Sequence, residues 1–180
     1  MNICFVLGTR PEIIKLSPLI KLCKKKRIKH TVIHTGQHFN YNMEGQFFKD
    51  LHVKPKYFLN LNNKNNYNKN FFIRAVKKLV TCYTKVNPDF IINQGDTNTV
   101  LASALAYKKI KNKIKAKLVH VEAGIRSFDK KMPEEINRIK ADKISDILFA
   151  PTSTAKKNLL SEKLKNKKIY VVGNTVSDTI

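Results

Sequence analysis

Short apolar segments alternate along this chain with helical patterns, and this alternation constrains the fold more than any other feature. The apolar segments have the length of buried strands. They lie at residues 2–7, 30–35, 90–92, 118–121, 147–149 and 169–172. Strands that alternate with helices are typical of a parallel sheet covered by helices on both faces. We therefore predict an α/β protein with a doubly wound, mostly parallel, Rossmann-like sheet.

The segments between these strands carry the signals of helices and loops. The clearest helix covers residues 71–86, and its predicted buried face contains Phe72, Ala75, Val76, Leu79, Val80 and Tyr83. Further helices are predicted at residues 13–22, 43–51, from 97 or 98, from Pro133, and from 152 to about 164. The polar segment 60–70 is predicted to be a surface loop. No internal repeat interrupts this order, so residues 1–180 are predicted to form a single domain.

Residues 118–138 combine a predicted strand, a glycine turn and a predicted helix start. His120, Glu122 and Arg126 follow the strand, and Pro133 suits the first turn of a helix because its missing N–H would have no partner there. Glu134 and Arg138 are four residues apart, so they share a helix face and can pair. The core side of this helix is predicted to contain Ile136, Ile139 and Ile144.

Ligands of open α/β sheets bind at the carboxyl ends of the strands. The carboxylates and guanidinium groups of residues 118–138 would therefore be placed to move protons and hold an anion. A surface salt-bridge cluster would use the same residues, and this stretch alone leaves both interpretations open.

Two further strand ends carry polar turns. After the first strand come Gly8, Arg10 and Lys15, where a helix N-terminus offers N–H groups to an anion. The G-x-G-x-x-G fingerprint and the Walker A loop do not occur in the chain, which disfavours ordinary dinucleotide binding. Asp96 follows another strand, where it is interpreted either as a helix N-cap or as part of a site.

The net charge of +22 raises the hypothesis of nucleic-acid binding. The excess consists mainly of lysine, spread along the chain among many Asn and Ile residues, and this pattern indicates a compositional drift. Specific base contacts favour the planar fork of arginine. Arg10, Arg126 and Arg138 lie in the motif stretches, where a bidentate donor is not freely replaced by lysine. Nucleic acid is therefore a disfavoured partner.

Composition also argues against membrane-spanning, secreted, disulfide-rich and metal-binding classes of protein. No apolar run reaches the roughly 18 residues that a membrane span requires, and the N-terminus lacks the basic flank of a secretion signal. Cys4, Cys23 and Cys82 are widely spaced, so they predict buried thiols in a cytoplasmic protein and neither a disulfide framework nor a metal site.

Six motifs occur together and in order, and their combination resembles the non-hydrolysing UDP-N-acetylglucosamine 2-epimerases. The motifs are GTRPEIIKLSPLI (8–20), TGQHFNYNM (35–43), QGDTNTVLASALA (94–106), HVEAGIRSFDKKMPEEINR (120–138), FAPT (149–152) and VGNTVSD (172–178). The resemblance implies a two-domain fold similar to that of glycosyltransferase-B proteins. It also implies a cytoplasmic isomerase that interconverts UDP-N-acetylglucosamine and UDP-N-acetylmannosamine without a metal or cofactor, and that forms a homodimer when full length.

The resemblance assigns roles to individual residues. Asp96, Glu122 and Glu134 match the acid/base carboxylates, which would eliminate UDP across C1–C2 to a 2-acetamidoglucal and add it back with C2 inverted. The substrate-binding residues implied by the motifs are Arg10, Lys15, His120, Arg126 and Arg138.

A second UDP-sugar acts as an activator in some bacterial members of the family. Gln37 and His38 match part of that allosteric site, but Asn40 stands where a glutamine is expected. The departure leaves allosteric activation an open question for this chain.

A full member of the family is about twice as long as these 180 residues. The resemblance therefore implies an N-terminal half in which residues 173–180 lead into a C-terminal, uridine-binding domain. Alone, the chain is expected to bind UDP-sugar poorly and not to turn over.

Three alternatives remain at the level of the sequence. A hydrolysing 2-epimerase would release free N-acetylmannosamine, although GTRPEIIK favours the non-hydrolysing branch over a GTRAEY-like opening. A relative acting on a modified UDP-sugar would carry the same motifs. A non-catalytic basic binding module from a truncated gene would explain the charge, but the intact carboxylates and arginines argue against it.

Overall fold

A computed structural model describes residues 1–37, 41–61 and 69–175. The chain alternates strands and helices in the order β1 (Asn2–Leu7), α1 (Arg10–Lys25), β2 (Lys29–His34), α2 (Tyr41–Asp50), β3 (Tyr57–Phe58), α3 (Lys69–Val86), β4 (Phe90–Gln94), α4 (Asn98–Ile110), β5 (Lys117–Val121), α5 (Pro133–Ile144), β6 (Ile147–Ala150), α6 (Ser153–Ser161) and β7 (Lys168–Val171). The predicted strands and helices are confirmed to within a few residues. The short edge strand β3 was not anticipated, because two residues carry no periodicity.

The sheet has the strand order β3-β2-β1-β4-β5-β6-β7, and its neighbouring strands pair in parallel. The chain runs outward from β1 to β3, then returns to the other side of β1 with β4. This reversal places a crevice between the carboxyl ends of β1 and β4, which is where doubly wound sheets bind ligands. The α/β, Rossmann-like fold class is confirmed.

Alternating side chains of the strands supply a core on each face of the sheet. Cys4 and Val6 of β1 belong to the core that packs under α3 and α4. Phe5 and Leu7 belong to the core that packs under α1. Successive side chains of a strand point to opposite faces, so a continuously apolar β1 fits a strand that is covered on both sides.

Helix α3 confirms its prediction, since Ala75, Val76, Leu79 and Tyr83 are buried and Phe72 packs against the same core. Most of the predicted loop 60–70 lies outside the described residues. The cysteines Cys4, Cys23 and Cys82 are buried free thiols, as predicted. In the described part of the chain no helix is long and apolar enough to cross a membrane.

Helix α5 departs from its predicted orientation. Ile136 is exposed, whereas the buried residues are Glu135, Asn137, Ala141 and Asp142. The reason is that α5 covers the turns that follow β4 and β5, where backbone N–H and C=O groups have left the sheet and need partners. Glu135 accepts from the amides of Ser127 and Phe128, so a polar side chain is buried where Ile136 was expected. Ile139 is half-buried, and Ile144 packs against the core as predicted.

Candidate active site

The turn after β1 is closed by the chain's own carboxylate. Glu12 is buried, and its Oε2 accepts hydrogen bonds from the amides of Gly8 (2.7 Å) and Thr9 (2.8 Å). This arrangement is a capping box, in which a residue of the first helical turn reaches back to amides that the helix leaves free. The expectation that this turn offers free amides to an anion is therefore wrong for Gly8 and Thr9.

Gly8 is required at this turn for steric reasons. A Cβ at this position would lie 2.1 Å from Thr35 Oγ1 and 2.2 Å from Thr99 Oγ1, and these two hydroxyls are themselves hydrogen-bonded at 2.7 Å. The absence of a side chain lets the carboxyl ends of β1 and β2 pack directly on the start of α4.

Glu12 also joins the β1 turn to the β4 turn. Its Oε1 accepts a hydrogen bond of 2.7 Å from Thr97 Oγ1. Burial raises the pKa of Glu12 to about 7, and the hydrogen bonds from Thr97, Gly8 and Thr9 oppose that rise. Sequence analysis gave Glu12 no role; its position three residues after Thr9, as in a capping box, was the available signal.

The structure places Arg10 and Lys15 on the same side of the sheet, at the start of α1. The Arg10 guanidinium carbon lies 5.5 Å from the centroid of the Phe47 ring. Lys15 Nζ lies 2.9 Å from Glu122 Oε2, across 107 residues of sequence. One turn of α1 therefore brings cations to the carboxyl ends of β1 and β5.

Glu122 occupies the first position after β5 in a left-handed conformation, with φ of 65°. Its side chain is 7% exposed, and its Oε2 accepts from Lys15 and from the Gln94 side-chain amide. Because Gln94 pairs with Val121 in the β4–β5 ladder, this amide is fixed beside the carboxylate. Glu122 is therefore held between a cation and a neutral donor at the rim of the crevice.

Asp96 lies two residues after β4 and pairs with Arg138 of α5. The Asp96 side chain is 29% exposed, and its backbone carbonyl accepts from Asn137 Nδ2 at 2.9 Å. Thr97, the next residue, caps α4 by accepting from the Val100 amide. The N-cap interpretation of Asp96 is thus wrong, and its carboxylate lies at the strand end in an ion pair with Arg138.

The structure changes the partner predicted for Arg138. Its Nη1 lies 3.1 Å from Glu135 Oε2, and its Nη2 binds Asp96, whereas Glu134 is exposed in the first turn of α5. Burial raises the pKa of Glu135, but the amide of Ser127 and Arg138 outweigh it and hold that pKa below its ordinary value. A guanidinium that binds two carboxylates through separate nitrogens uses the planar fork that lysine lacks.

His120 and Arg126 are buried away from the crevice. His120 Nδ1 lies 2.6 Å from Asp142 Oδ1, and its Nε2 lies 2.8 Å from the Gly95 carbonyl. Arg126 binds Asp142 at 2.7 Å and Glu162 at 2.6 Å, and its side chain is 1% exposed. The structure thus brings Asp96, Glu122, Lys15 and Arg138 to one rim, and it sets His120 and Arg126 behind that rim.

Sequence reasoning missed Asp142, the residue that His120 and Arg126 share. Its signal was the seven-residue spacing from Glu135, which places both acids on one face of α5. Asp142 is fully buried, and burial would raise its pKa, but His120 and Arg126 lower it below the ordinary value.

Gln37 lies behind the β1 turn. Its Oε1 accepts from the Thr99 amide (2.8 Å) and the Thr99 hydroxyl (2.9 Å), so it supports the first turn of α4. His38, its predicted partner in an allosteric site, lies outside the described residues. Among the described residues, no group of three or more His, Cys, Asp and Glu side chains is placed to hold a metal ion.

Comparison with known proteins gives consistent matches over nearly the whole chain. A family model described as UDP-N-acetylglucosamine 2-epimerase matches residues 20–180. The UDP-N-acetylglucosamine 2-epimerase of Methanocaldococcus jannaschii is 49% identical over 181 residues, which cover 99% of this chain and 47% of that protein. The UDP-2,3-diacetamido-2,3-dideoxy-D-glucuronate 2-epimerase of Pseudomonas aeruginosa is 38% identical, over 99% of this chain and 50% of that protein.

The structural match is equally extensive. A crystal structure of the M. jannaschii UDP-GlcNAc 2-epimerase in complex with UDP-GlcNAc and UDP superposes with a TM-score of 0.91 and 47% identity, covering 99% of this chain and 48% of that one. The chain spans about half the length of the curated relatives it matches. The extent of the family match, the identity and the shared fold together show that this chain belongs to the UDP-N-acetylglucosamine 2-epimerase family.

Proposed function

We propose that this chain is the N-terminal, Rossmann-like lobe of a cytoplasmic UDP-N-acetylglucosamine 2-epimerase. Residues 173–180 then connect it to a second lobe, in a two-domain arrangement similar to that of glycosyltransferase-B proteins. The observation that carries the proposal is the Lys15–Glu122 contact of 2.9 Å, which joins a cation at the β1 end to a carboxylate at the β5 end. Family membership supports the choice of substrate.

The proposed reaction begins with removal of the C2 proton by a carboxylate. The C2–H electrons form the C1=C2 double bond, and the C1–O bond breaks with its electron pair leaving on UDP. The products of this step are 2-acetamidoglucal and UDP. Return of a proton to the opposite face of C2, with re-addition of UDP at C1, gives UDP-N-acetylmannosamine. Carbon keeps its oxidation level overall, so the reaction requires no redox cofactor.

Residues at two strand ends and on helices α1 and α5 supply the groups that this elimination needs. Asp96, Glu122 and Glu134 are the proposed proton carriers, and Arg10, Lys15 and Arg138 the proposed diphosphate contacts. Cations held in place stabilise the charge that develops on a departing diphosphate. Lys15 and Arg138 each contact one of the proposed carboxylates, so binding of a diphosphate would draw a cation away from a carboxylate as the reaction begins.

The experiment joins residue 180 to the C-terminal half of the M. jannaschii relative and supplies UDP-N-acetylglucosamine in D₂O. We expect deuterium at C2 and UDP-N-acetylmannosamine, both detected by NMR. Retention of the C2 proton during turnover would overturn the elimination mechanism. Release of free N-acetylmannosamine would instead assign the hydrolysing branch.

The chain by itself is expected to show no turnover, because the uridine would have no second lobe to hold it. Purified residues 1–180 in the same assay provide the test, and measurable epimerisation would contradict this expectation. The joined protein serves as the positive control.

A modified UDP-sugar is the second candidate substrate. The 38% identity to the P. aeruginosa enzyme, named for a diacetamido glucuronate, supports it. Both candidates place the reacting carbon at C2 between C1 and C3, so the same strand-end carboxylates would serve. Competition between the two sugar nucleotides in the joined protein distinguishes them through their kcat/KM ratio.

A further inference from the structure

Four charged side chains form a network behind the rim, which we call the buried network: His120, Asp142 and Arg126 are buried, and Glu162, at its outer end, is 26% exposed. His120 and Asp142 are fully buried. Arg126 connects the network to the end of α6 through Glu162, with contacts of 2.6 and 2.9 Å. The proposed reaction uses none of these four groups, and the imidazole and the guanidinium are occupied by partners within the protein.

The contacts of His120 define its protonation state. The Gly95 carbonyl can only accept, so Nε2, at 2.8 Å, must donate a proton to it. Asp142 is ionised between His120 and Arg126, so Nδ1, at 2.6 Å, must donate as well. An imidazole that donates from both nitrogens is a cation. With His120 charged, the network contains two cations and two carboxylates and is neutral.

The network reaches the two turns that carry the strand-end carboxylates. His120 binds the carbonyl of Gly95, and Asp96 is the next residue. Asp142 Oδ2 accepts from the Gly124 amide at 3.1 Å, two residues after Glu122. Gly95 and Gly124 have φ of 84° and 82°, and Glu122 itself has φ of 65°. Left-handed backbone at a residue with a side chain costs roughly 1–3 kcal/mol and persists only where its surroundings hold it.

We propose that His120 is a positioning residue, which as an imidazolium holds the Gly95 and Gly124 turns together and thereby sets Asp96 and Glu122 in register for proton transfer at C2. The inference rests on the proposed epimerase function for the identity of the reaction. The placement of the two turns is independent of it. A displacement of about 1 Å in a catalytic group lowers turnover by up to about 100-fold.

The carboxylate and the carbonyl that contact His120 favour the imidazolium. Asp142 on α5 faces Nδ1, Arg126 lies beyond Asp142, and Glu162 at the end of α6 binds Arg126. Lys167, before β7, also interacts with Asp142. Burial lowers the pKa of His120, but Asp142 and the Gly95 carbonyl raise it above its ordinary value. Because that pKa is raised, the cation is favoured at low pH and is lost as the pH rises.

The first test measures the imidazole directly. In ¹⁵N-histidine-labelled chain at pH 7, we expect both ring nitrogens of His120 to be protonated, with a one-bond N–H coupling at each. A neutral imidazole at this pH would overturn the proposal. This measurement does not depend on catalysis, so it separates a failure of the positioning role from a failure of the proposed function.

The second test uses two amides that imitate one ring nitrogen each. In His120→Asn, the side-chain amide lies where Nδ1 lies in histidine, so it keeps the contact with Asp142 but loses the hydrogen bond to the Gly95 carbonyl. The Gln amide in His120→Gln reaches the place of Nε2 and can still hold the Gly95 carbonyl. In the protein joined to a second lobe, we expect His120→Asn to lower kcat about 10- to 100-fold with little change in KM. His120→Gln keeps the Gly95 contact but loses Asp142 and the positive charge, so it also breaks the link between the two turns and should lower kcat by a similar factor.

The matched control is His30→Gln. His30 also places a ring nitrogen beside a backbone carbonyl, 2.9 Å from Ile28, but it lies at the start of β2, at the opposite end of the strands from the rim. Its kcat should equal that of the unmodified protein. Melting temperatures lowered in His120→Asn and His120→Gln, with a kcat measured well below those temperatures that equals the kcat of the unmodified protein, would assign His120 a purely structural role and refute positioning.

Discussion

Two groups of ion pairs lie within a few residues of each other in this molecule, and they differ in exposure. The rim pairs are Asp96–Arg138, with side chains 29% and 17% exposed, and Glu122–Lys15, 7% and 27% exposed. In the buried network, His120, Asp142 and Arg126 are at most 1% exposed. Both groups combine Asp and Glu with Arg; the second cation is Lys15 at the rim and His120 in the network. Their exposure to solvent determines whether the partners of an ion pair can be exchanged: the rim pairs can exchange partners, and the pairs of the buried network cannot.

Solvent explains the difference. A rim pair that opens regains water, so a diphosphate can replace one partner at modest cost. A pair in the buried network that opens leaves a charge in a medium of low polarity, where desolvation costs several kcal/mol per ion. The rim is therefore suited to binding and chemistry, and the buried network is suited to holding geometry.

The largest effect is expected from a substitution that breaks the buried network. Asp142→Ala leaves Arg126 and His120 without the carboxylate they share, and we expect a loss of about 3–5 kcal/mol in the free energy of unfolding. Urea unfolding of the chain measures it. Asp129→Ala, which removes an exposed carboxylate from the loop before α5, should stay within about 0.5 kcal/mol of the unmodified chain. Equal losses for both variants would show that the buried carboxylate stabilises the chain no more than an exposed one.

The next largest effect is expected at the rim, where a substitution should lower activity much more than it lowers stability. Glu122→Gln keeps the shape of the side chain but removes a proposed proton carrier. In the protein joined to a second lobe, kcat should fall by about 100- to 10,000-fold, the usual contribution of a general acid or base. The free energy of unfolding should fall by less than in Asp142→Ala, because the Gln side chain keeps an oxygen that can accept from Lys15 and Gln94. Full activity in this variant would remove Glu122 from the mechanism.

Glu12 sharpens the comparison because it is buried like Asp142 but, among its contacts in the described residues, has only neutral donors. Its pKa is raised from 4.5 to about 7, whereas that of Asp142 is lowered by its two cations. The native chain therefore holds the Glu12 proton more tightly than the unfolded chain does. The resulting stability is fully present below pH 4.5 and is lost as the pH rises through 7.

The corresponding variant is Glu12→Gln, which cannot titrate. Between pH 5 and pH 8 we expect the unmodified chain to lose on the order of 2–3 kcal/mol relative to this variant. Urea unfolding of both proteins across that pH range measures the difference. Parallel stability curves would show that the hydrogen bonds from Thr97, Gly8 and Thr9 keep Glu12 ionised.

The smallest expected effect concerns the geometry of one rim cation. Arg138→Lys keeps the charge but cannot hold Asp96 and Glu135 through separate nitrogens of one plane. We expect kcat to fall about 10-fold, the factor that corresponds to roughly 1.4 kcal/mol. Arg74→Lys on α3 is the control and should leave kcat unchanged.

Sequence alone determined the fold class and the edge at which polar residues gather. The apolar segments 2–7, 90–92 and 118–121 have the lengths of buried strands, and parallel strands end at a common edge. Asp96 and Glu122 each follow such a strand, so their convergence was predictable before any coordinates. The motif resemblance added the roles, which remain proposals for this chain.

Only the tertiary structure decided which charges pair and which are buried. Spacing along α5 allows Arg138 to meet either Glu134 or Glu135, and the structure selects Glu135 together with Asp96, 42 residues away in sequence. It buries His120 and Asp142 and exposes Ile136. The physical reason is that periodicity specifies only the face of a helix. The backbone amides and carbonyls that another segment leaves unpaired decide whether that face must be apolar or charged.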